Sequence, residues 1–411
     1  MFILRSEIDA YGYFNVYKTM INYLQMQIFC KKMIYLHTAN WQKSHFQPKF
    51  IESQVMIESD KTATMEQVAR AAGVSIGTVD RVLHHREGVS EKTRKKVFDV
   101  INEIGYKPNI YASILSRRKD FTIVAIIPYF QTGEYWELVY NGITRAVKQS
   151  QGLNIDLKIF YYNQFELESF RGACRNTIDV RPDALFIAPI YKEETIRLVH
   201  HLTSLSIPVA YIDTKPGNTD YLAYFGMPLF ESGYLAADLL VGSDPGVKEV
   251  VSFNIDRGEA PPNDSTLNRH RGFLAYLNDN NPGCTLTDCS MSPFDFLYNM
   301  RLFDAFFEEH PDVRHIITFN SRAHLISDWM EIRGIRDKKL LGFDMLQANM
   351  RALKNGTISV LVAERTDKEA FKAVKSLIDF LVLRQRPPRR DNYSSIDILT
   401  RYNVDFYLVE E

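Results

Sequence analysis

Two groups of residues have the types and spacing for chemistry. Arg81 lies early in a short basic segment, and a guanidinium can donate two parallel hydrogen bonds to a guanine edge or a phosphate. Asp213, Asn320 and Asp344 each directly follow an apolar run of strand length. Ligands of parallel sheets bind beyond the carboxyl ends of the strands, so these three residues predict a small-ligand site.

The sequence offers no enzyme or metal motif in the setting that the chemistry requires. It contains no P-loop or H-E-x-x-H pattern and no glycine-rich dinucleotide pattern after a strand, and its G-x-S-x-G match, Gly73 to Gly77, lies between two predicted helices rather than after a strand. The pairs His84-His85 and His200-His201 are chain neighbours, which diverge by about 100° on a helix and make poor metal clamps. The four cysteines form no C-x-x-C pair. We therefore predict no catalysis, no metal, no cofactor and a reducing, cytoplasmic setting.

Charge is distributed unevenly along the chain. The net charge of the 411 residues is −1, but residues 61–119 carry twelve basic and six acidic side chains. Residues 120–411 then carry about −8. A small basic module on an acidic body is typical of a nucleic-acid-binding protein.

The basic module, residues 61–108, is predicted to form three short helices. Thr64 and Gln67 form a capping box, Gly73 ends the first helix, and Ser75 and Ser90 cap the next two. The residues expected to face inward are Met65, Val68, Ala69 and Ala72, then Val79, Val82 and Leu83, then Val97, Val100, Ile101 and Ile104. Two helices joined by a tight turn with glycine are a helix-turn-helix, whose second helix enters the major groove.

Four ordered segments resemble the lac repressor (LacI/GalR) family of transcription regulators. They are Met65–Ser75, Thr78–Leu83, Val89–Arg94 and Gly105–Asn109. The resemblance implies that the start of the second helix contacts DNA, through Ser75, Ile76, Gly77, Thr78, Asp80 and Arg81.

The recognition residues keep part of the family pattern. Arg81 matches it and is expected to bond guanine O6 and N7, the alternative being that it lies along the DNA backbone. Ile76 and Gly77 replace a polar pair, and Ile76 can meet only a thymine methyl group or a sugar edge. Asp80 replaces a small hydroxyl residue, so we interpret it as an acceptor for cytosine N4 or a brace for Arg81.

Residues 109–120 resemble the family's hinge, in which a short helix inserts a leucine into the minor groove. Leu115 matches that leucine, and Asn109, Ala112 and Arg117 are the other expected contacts. A basic, flexible linker without a wedge is the alternative.

Residues 121–411 alternate between apolar strands and amphipathic helices, which indicates parallel sheets covered by helices on both faces. The strands are predicted at 121–128, 155–161, 184–188, 208–213, 247–253, 315–319 and 339–343. The resemblance implies a two-lobed α/β effector domain like periplasmic binding proteins of type I, beside the small all-α helix-turn-helix domain. Lobe 1 is expected over about 121–225 and 364–390, and lobe 2 over about 226–363 and 391–411.

The same resemblance adds two residues to the ligand site. Arg269 matches the arginine with which the family holds its effector, and Glu364 matches a crossover position that is often glutamine. Tyr129, Phe130 and Trp136 offer a stacking face for a sugar ring. The alternatives are helix caps for Asp213 and Asp344, a surface ion pair for Arg269, and a core position for Trp136.

Residues 1–60 differ from the rest of the sequence. Their most apolar stretch, from Phe14 to Leu36, is interrupted by lysines and polar amides, and Glu7 and Asp9 do not suit a signal peptide. We expect an accessory segment or an over-extended gene start with initiation at Met56, and no membrane contact.

The sequence thus predicts a cytoplasmic, homodimeric regulator of transcription, with repression the family's usual role. It would bind a pseudo-palindromic operator in double-stranded DNA under control of a small effector, with a carbohydrate or derivative expected. The alternatives are a sugar-binding or transport protein without regulatory DNA binding, and an enzyme on the same scaffold.

Overall fold

The structure is a computed structural model that describes residues 65–83, 88–104, 120–150, 153–242, 244, 246–258, 260 and 263–407. The predicted N-terminal segment, the Thr64 cap and the hinge contacts Asn109, Ala112, Leu115 and Arg117 lie outside the described residues. The chain divides into two compact units, residues 1–107 and 108–411.

The described helices and strands follow one another in a regular order. The helices are α1 Met65–Ala72, α2 Ile76–Leu83, α3 Glu91–Glu103, α4 Tyr135–Gln149, α5 Leu167–Val180, α6 Lys192–Ser204, α7 Leu229–Leu240, α8 Asp264–Asn280, α9 Phe296–Glu309, α10 Ala323–Arg333, α11 Gln347–Asn355, α12 Thr366–Leu383 and α13 Val404–Tyr407. The strands are β1 Phe121–Pro128, β2 Ile155–Tyr162, β3 Ala184–Ile187, β4 Val209–Ile212, β5 Ala223–Gly226, β6 Glu249–Ile255, β7 Thr285–Met291, β8 His315–Ile317, β9 Lys339–Phe343, β10 Val360–Ala363, β11 Asp391–Tyr393 and β12 Asp397–Leu399.

The first unit contains the three predicted helices, α1 to α3. Gly73 ends α1 with a φ of +62°, a left-handed conformation that suits a residue without Cβ. The Ser75 hydroxyl accepts the Thr78 N–H at 3.1 Å, and the Ser90 hydroxyl accepts the Thr93 N–H at 3.3 Å. The helices enclose a small core of Val68, Ala69, Ala72, Val79, Val82, Val97 and Ile101. The inward stripes read from the sequence therefore meet in one core.

The described residues of the second unit form two six-stranded sheets. The first has the order β11-β5-β4-β3-β1-β2 with every pair parallel, and the second has the order β12-β10-β9-β8-β6-β7 with only β12 antiparallel. The chain passes between the sheets after β5, after β10 and after β11. The helix after β5, α7, packs on α8 at the second sheet, and the helix after β10, α12, packs on α4 at the first.

The last crossing differs from the expected lobe boundary. Strand β11 pairs with β5 through Asp391, Asn392 and Tyr393, so the first sheet reaches three residues beyond the expected limit at 390. These three residues are not part of an apolar run, so the sequence pattern does not mark them as a strand. Only their pairing with β5 shows that they form one.

Helices α7 and α8 pack so closely that two glycines are required between them. A Cβ on Gly233 would lie 1.8 Å from the carbonyl oxygen of Arg269, and one on Gly272 would lie 1.9 Å from that of Phe230. Arg269 is therefore held by a backbone-to-backbone contact as well as by its own helix.

We expect Gly233→Ala to lower the free energy of unfolding by about 1–3 kcal/mol, because the added methyl group forces α7 and α8 apart. Thermal unfolding followed by circular dichroism checks this. Gly217→Ala is the matched control, since a Cβ there meets nothing within 4 Å. Equal midpoints for the two variants would contradict the assigned packing.

Candidate functional site

The residues predicted to contact DNA run along α2, from Ser75 just before the helix to Arg81 in its last turn. Ile76 is 50% exposed, and Ser75, Gly77 and Arg81 are also exposed. Thr78 and Asp80 are half-buried. Val79 and Val82, on the opposite face, are fully buried. The helix therefore presents its predicted contacts outward and packs through its aliphatic residues.

A cleft of about 650 Å³ lies between the two sheets of the second unit. The first lobe contributes residues at the start of α4, the end of β2 and the end of β4, and the second contributes the ends of β6, β8 and β9 and one face of α8. The cleft therefore lies beyond the carboxyl ends of parallel strands, where ligands bind in such sheets.

Five of the eight predicted ligand residues line this cleft: Trp136, Asp213, Arg269, Asn320 and Asp344. Trp136 is also 6% exposed and packs in the hydrophobic core of the first lobe, so its core alternative holds as well. Tyr129 and Phe130 do not line the cleft. Tyr129 continues the pairing of β1 through its N–H to the Tyr162 carbonyl, and its ring is 65% exposed against Tyr161. Phe130 packs on Tyr140 and Tyr161. Tyr129 and Phe130 therefore follow the end of β1 in the sequence, but their rings do not line the cleft.

Glu364 lies behind the cleft wall at the second crossing between the lobes. Its Oε1 accepts the Tyr135 hydroxyl at 3.4 Å, and its Oε2 accepts the Ser394 hydroxyl at 2.9 Å. Ser394 follows β11 at the third crossing. The carboxyl group therefore connects two crossings to a residue that lines the cleft.

Asp213 and Asp344 occupy equivalent, unusual backbone positions. Their φ angles are +67° and +69°, and each donates its N–H to the next strand, to Phe225 and Val362 respectively. Neither carboxyl group caps a helix, because β5 follows Asp213 without an intervening helix and Leu346 is the N-cap of α11. Left-handed backbone costs free energy in a residue other than glycine, which is consistent with a functional role for the side chains.

The positive charge of Arg269 acts on both carboxyl groups. Its Nη2 lies 3.7 Å from Asp344 Oδ1, its Nη1 donates to the Phe319 carbonyl at 3.1 Å, and its guanidinium stacks 4.2 Å from the centre of the Phe343 ring. The side chain is 3% exposed. Arg269 is therefore a buried residue of the cleft floor.

Burial governs the ionisation of the three acids. It raises the pKa of Asp213 to about 7 although Arg269 opposes the shift, and it raises the pKa of Asp344 against the same arginine. Burial together with the nearby Asp344 charge raises the pKa of Glu364 to about 8. The free energy needed to remove these carboxylates from water thus exceeds the electrostatic stabilisation that Arg269 provides.

The structure adds contacts that the sequence analysis missed, and several of them join the lobes. Arg322 Nη2 donates to Glu134 Oε1 at 2.9 Å across the cleft. Arg257 donates to the Gln164 carbonyl and stacks 5.3 Å from the Phe165 ring. Arg257 lies two residues beyond the end of β6, so the rule that found Asp213 would have found it with the correct strand end.

Two searches of the described residues gave negative results. No group of three or more His, Cys, Asp or Glu side chains is placed to hold a metal ion there. None of the helices in that part of the chain combines the length and the apolar content needed to cross a bilayer.

Comparison with known sequences and structures identifies the family. Residues 124–384 match the periplasmic binding protein domain, and residues 64–109 match bacterial regulatory proteins of the lacI family. A solved structure described as a LacI transcriptional regulator from Bacteroides fragilis is 33% identical, with a TM-score of 0.67 over 70% of this chain and all of that one. The chain belongs to the LacI family, with a periplasmic-binding-protein domain as its larger part.

Two curated relatives align over shorter stretches. The HTH-type transcriptional regulator DegA of Bacillus subtilis is 31% identical over 36% of this chain and 43% of its own length. The sucrose operon repressor of Staphylococcus xylosus is 26% identical over 54% of this chain and 64% of its own. The chain thus matches less than two thirds of the length of these relatives.

We expect Glu364→Gln to change the pH dependence of stability. The pKa of Glu364 is about 8 in the folded protein and has its ordinary value of 4.5 in the unfolded chain. Between these pH values only the folded protein binds the proton, so the native protein loses stability as pH rises through this range. Glutamine cannot ionise, so the variant should be more stable than the native protein at about pH 8.5, by on the order of 2 kcal/mol, and not at about pH 5.

Thermal unfolding at both pH values measures this. Asp256→Asn, at an exposed carboxyl on the cleft rim, is the control for simple removal of charge. Parallel stability profiles for native protein and Glu364→Gln would show that Glu364 is not the titrating group.

Proposed function

We propose that this protein is a sequence-specific DNA-binding regulator of transcription, acting as a repressor in the cytoplasm, whose operator affinity is set by a small ligand in the interlobe cleft. The observation that carries the proposal is one chain that joins a basic helix-turn-helix unit to a two-lobed ligand cleft. The relatives named as transcriptional regulators and as a sucrose operon repressor support it.

The first unit supports operator binding. The exposed face of α2 carries Ile76 and Gly77 in its first turn and Arg81 in its last turn, with the aliphatic side packed against α1 and α3. Arg81 can bond a guanine edge in the major groove, and the basic residues around it can neutralise phosphates. One such unit reads only a half-site, so we propose a homodimer on a pseudo-palindromic operator.

The second unit supports control by a ligand. A ligand in the cleft would touch Asp213 from one lobe and Arg269 and Asp344 from the other, and so bias the angle between the lobes. The proposed outcome is a shift between dimer states that order or release the hinge around Leu115. Such a shift requires that the ligand bind the two states with different affinity.

We expect Arg81→Glu to weaken specific operator binding at least about 100-fold, because it removes the base contact and adds a charge that repels phosphate. The operator would be located by footprinting the DNA upstream of the protein's own gene, and affinity measured by fluorescence anisotropy over a salt series. Arg336→Glu is the matched control, with the same charge change at an exposed site in the other unit. Retained specific binding by Arg81→Glu would overturn the recognition-helix assignment.

A further inference from the structure

The number of arginines that line the cleft suggests a binding site for an anion. Among the described residues that line it are four arginines: Arg257, Arg269, Arg322 and Arg351. A phosphorylated or acidic ligand would use such groups. Whether they are available depends on the bonds that each already makes.

Two of the arginines are engaged in contacts between the lobes. Arg322 donates to Glu134 Oε1 at 2.9 Å and to the Pro293 carbonyl at 3.0 Å, so both of its terminal nitrogens are used. Arg257 donates to the Gln164 main-chain carbonyl and lies over the Phe165 ring. An anion bound to either would compete with these bonds.

The other two arginines differ in their surroundings: Arg269 is buried near three acidic side chains, and Arg351 lies at the exposed rim of the cleft. Asp213, Asp344 and Glu364, at 6%, 3% and 4% exposure, come from both lobes and a crossing, and the charge of Arg269 acts on all three. Three carboxyl groups thus face one buried guanidinium. Arg351 is exposed, and its charge acts on the carboxyl of Asp328. An anion at the cleft floor would therefore meet an excess of carboxyl groups.

The unpartnered polar atoms of the floor give a second, independent observation. Among the described residues that line the cleft, Asp344 Oδ1, Arg269 Nε and Asn320 Nδ2 are buried without a hydrogen-bond partner. The orientation of the Asn320 amide is fixed, because its Oδ1 accepts the Arg322 N–H at 2.8 Å. The floor thus offers one acceptor and two donors to a ligand.

Hydroxyl groups match this set and charged groups do not. A hydroxyl can donate to Asp344 Oδ1 and accept from Arg269 Nε or Asn320 Nδ2. An ionised phosphate or carboxylate only accepts and leaves Asp344 unsatisfied, and an ammonium group only donates and leaves both donors unsatisfied. A buried polar atom without a partner costs free energy, so the mismatch opposes both kinds of charged ligand.

From the donor and acceptor set and the commitments of the arginines, we infer that the cleft selects an uncharged ligand bearing neighbouring hydroxyl groups. Asp213 and Asp344, joined by Glu364 at a pH above its pKa of about 8, are the residues that exclude phosphorylated and acidic forms of the same molecule. This specificity rests on the proposed function, because it concerns the effector of the regulator.

The test compares each neutral compound with its charged counterpart on the full chain. The probes are D-arabinose, D-allose, D-tagatose, D-glucose and D-galactose, the phosphate monoesters of these sugars, D-glucuronate and D-glucosamine. Thermal unfolding identifies binders, and isothermal titration calorimetry measures their affinities. We expect at least one neutral sugar to bind, and its phosphate ester to bind at least about 100-fold more weakly.

Variants locate the origin of the selectivity. At about pH 9, above the pKa of about 8 of Glu364, Glu364→Gln removes a buried charge without altering the cleft lining, so it should reduce the preference for the neutral form about tenfold or more. At about pH 6, where Glu364 is protonated, the same variant should leave the preference unchanged. Asp312→Asn, at an exposed carboxyl outside the cleft lining, should leave the ratio unchanged because solvent screens that charge. Arg351→Gln should also leave it unchanged.

Three results would overturn the inference. They are a phosphate ester that binds as tightly as its parent sugar, a charged form whose binding is lost in Arg351→Gln, and a panel in which no neutral sugar binds. Operator binding by the same preparations is measured in parallel. If operator binding persists when one of these results is obtained, the proposed regulator is supported and only the ligand class is wrong. If operator binding is absent while the preference for neutral sugars is observed, the proposed regulation is wrong and the ligand class is supported.

Discussion

The central interaction of the cleft is that between the buried guanidinium of Arg269 and three buried carboxyl groups. These acids come from both lobes and from a crossing, so neither lobe alone could bring them together. Asp213 ends a strand of the first sheet, Asp344 ends a strand of the second, and Glu364 belongs to a crossing between them. Removing four ionisable groups from water is costly, and one arginine does not offset three acids. The raised pKa values of Asp213 and Glu364 follow from this imbalance. Ligand hydroxyls at the floor would supply the partners that the protein itself lacks.

Two similar halves produce this arrangement. The strand orders of the two sheets correspond when five is added to each of the strands β1 to β5, with β11 and β12 at matching edges. Asp213 after β4 and Asp344 after β9 therefore occupy corresponding positions, and both have left-handed backbone. The halves face each other across the cleft because α7 and α12 each pass to the other sheet and pack there. The repeated architecture thus explains why two similar acids converge on one arginine.

The sequence predicted much of this because its strongest signals are local. Hydrophobic period and caps gave the three helices of the first unit, with Gly73, Ser75 and Ser90 in their expected roles. Strand β9 was predicted at its observed bounds, since a buried parallel strand is an unbroken apolar run. Strands β5, β7, β10, β11 and β12 were not predicted. β7 lies at a sheet edge where most residues are partly exposed, so its apolar signal is weak.

What the sequence by itself determined is the division into a basic three-helix module and an α/β body, and the family to which both belong. It also gave the polar residues that end strands, because strand ends are marked by a change from apolar to polar side chains. Only the tertiary structure decided which of those residues meet. It placed Trp136 in the cleft and left Tyr129 and Phe130 outside it, put Glu364 behind the wall, and committed Arg322 to Glu134. Such outcomes depend on the packing of segments far apart in the chain, which no local pattern contains.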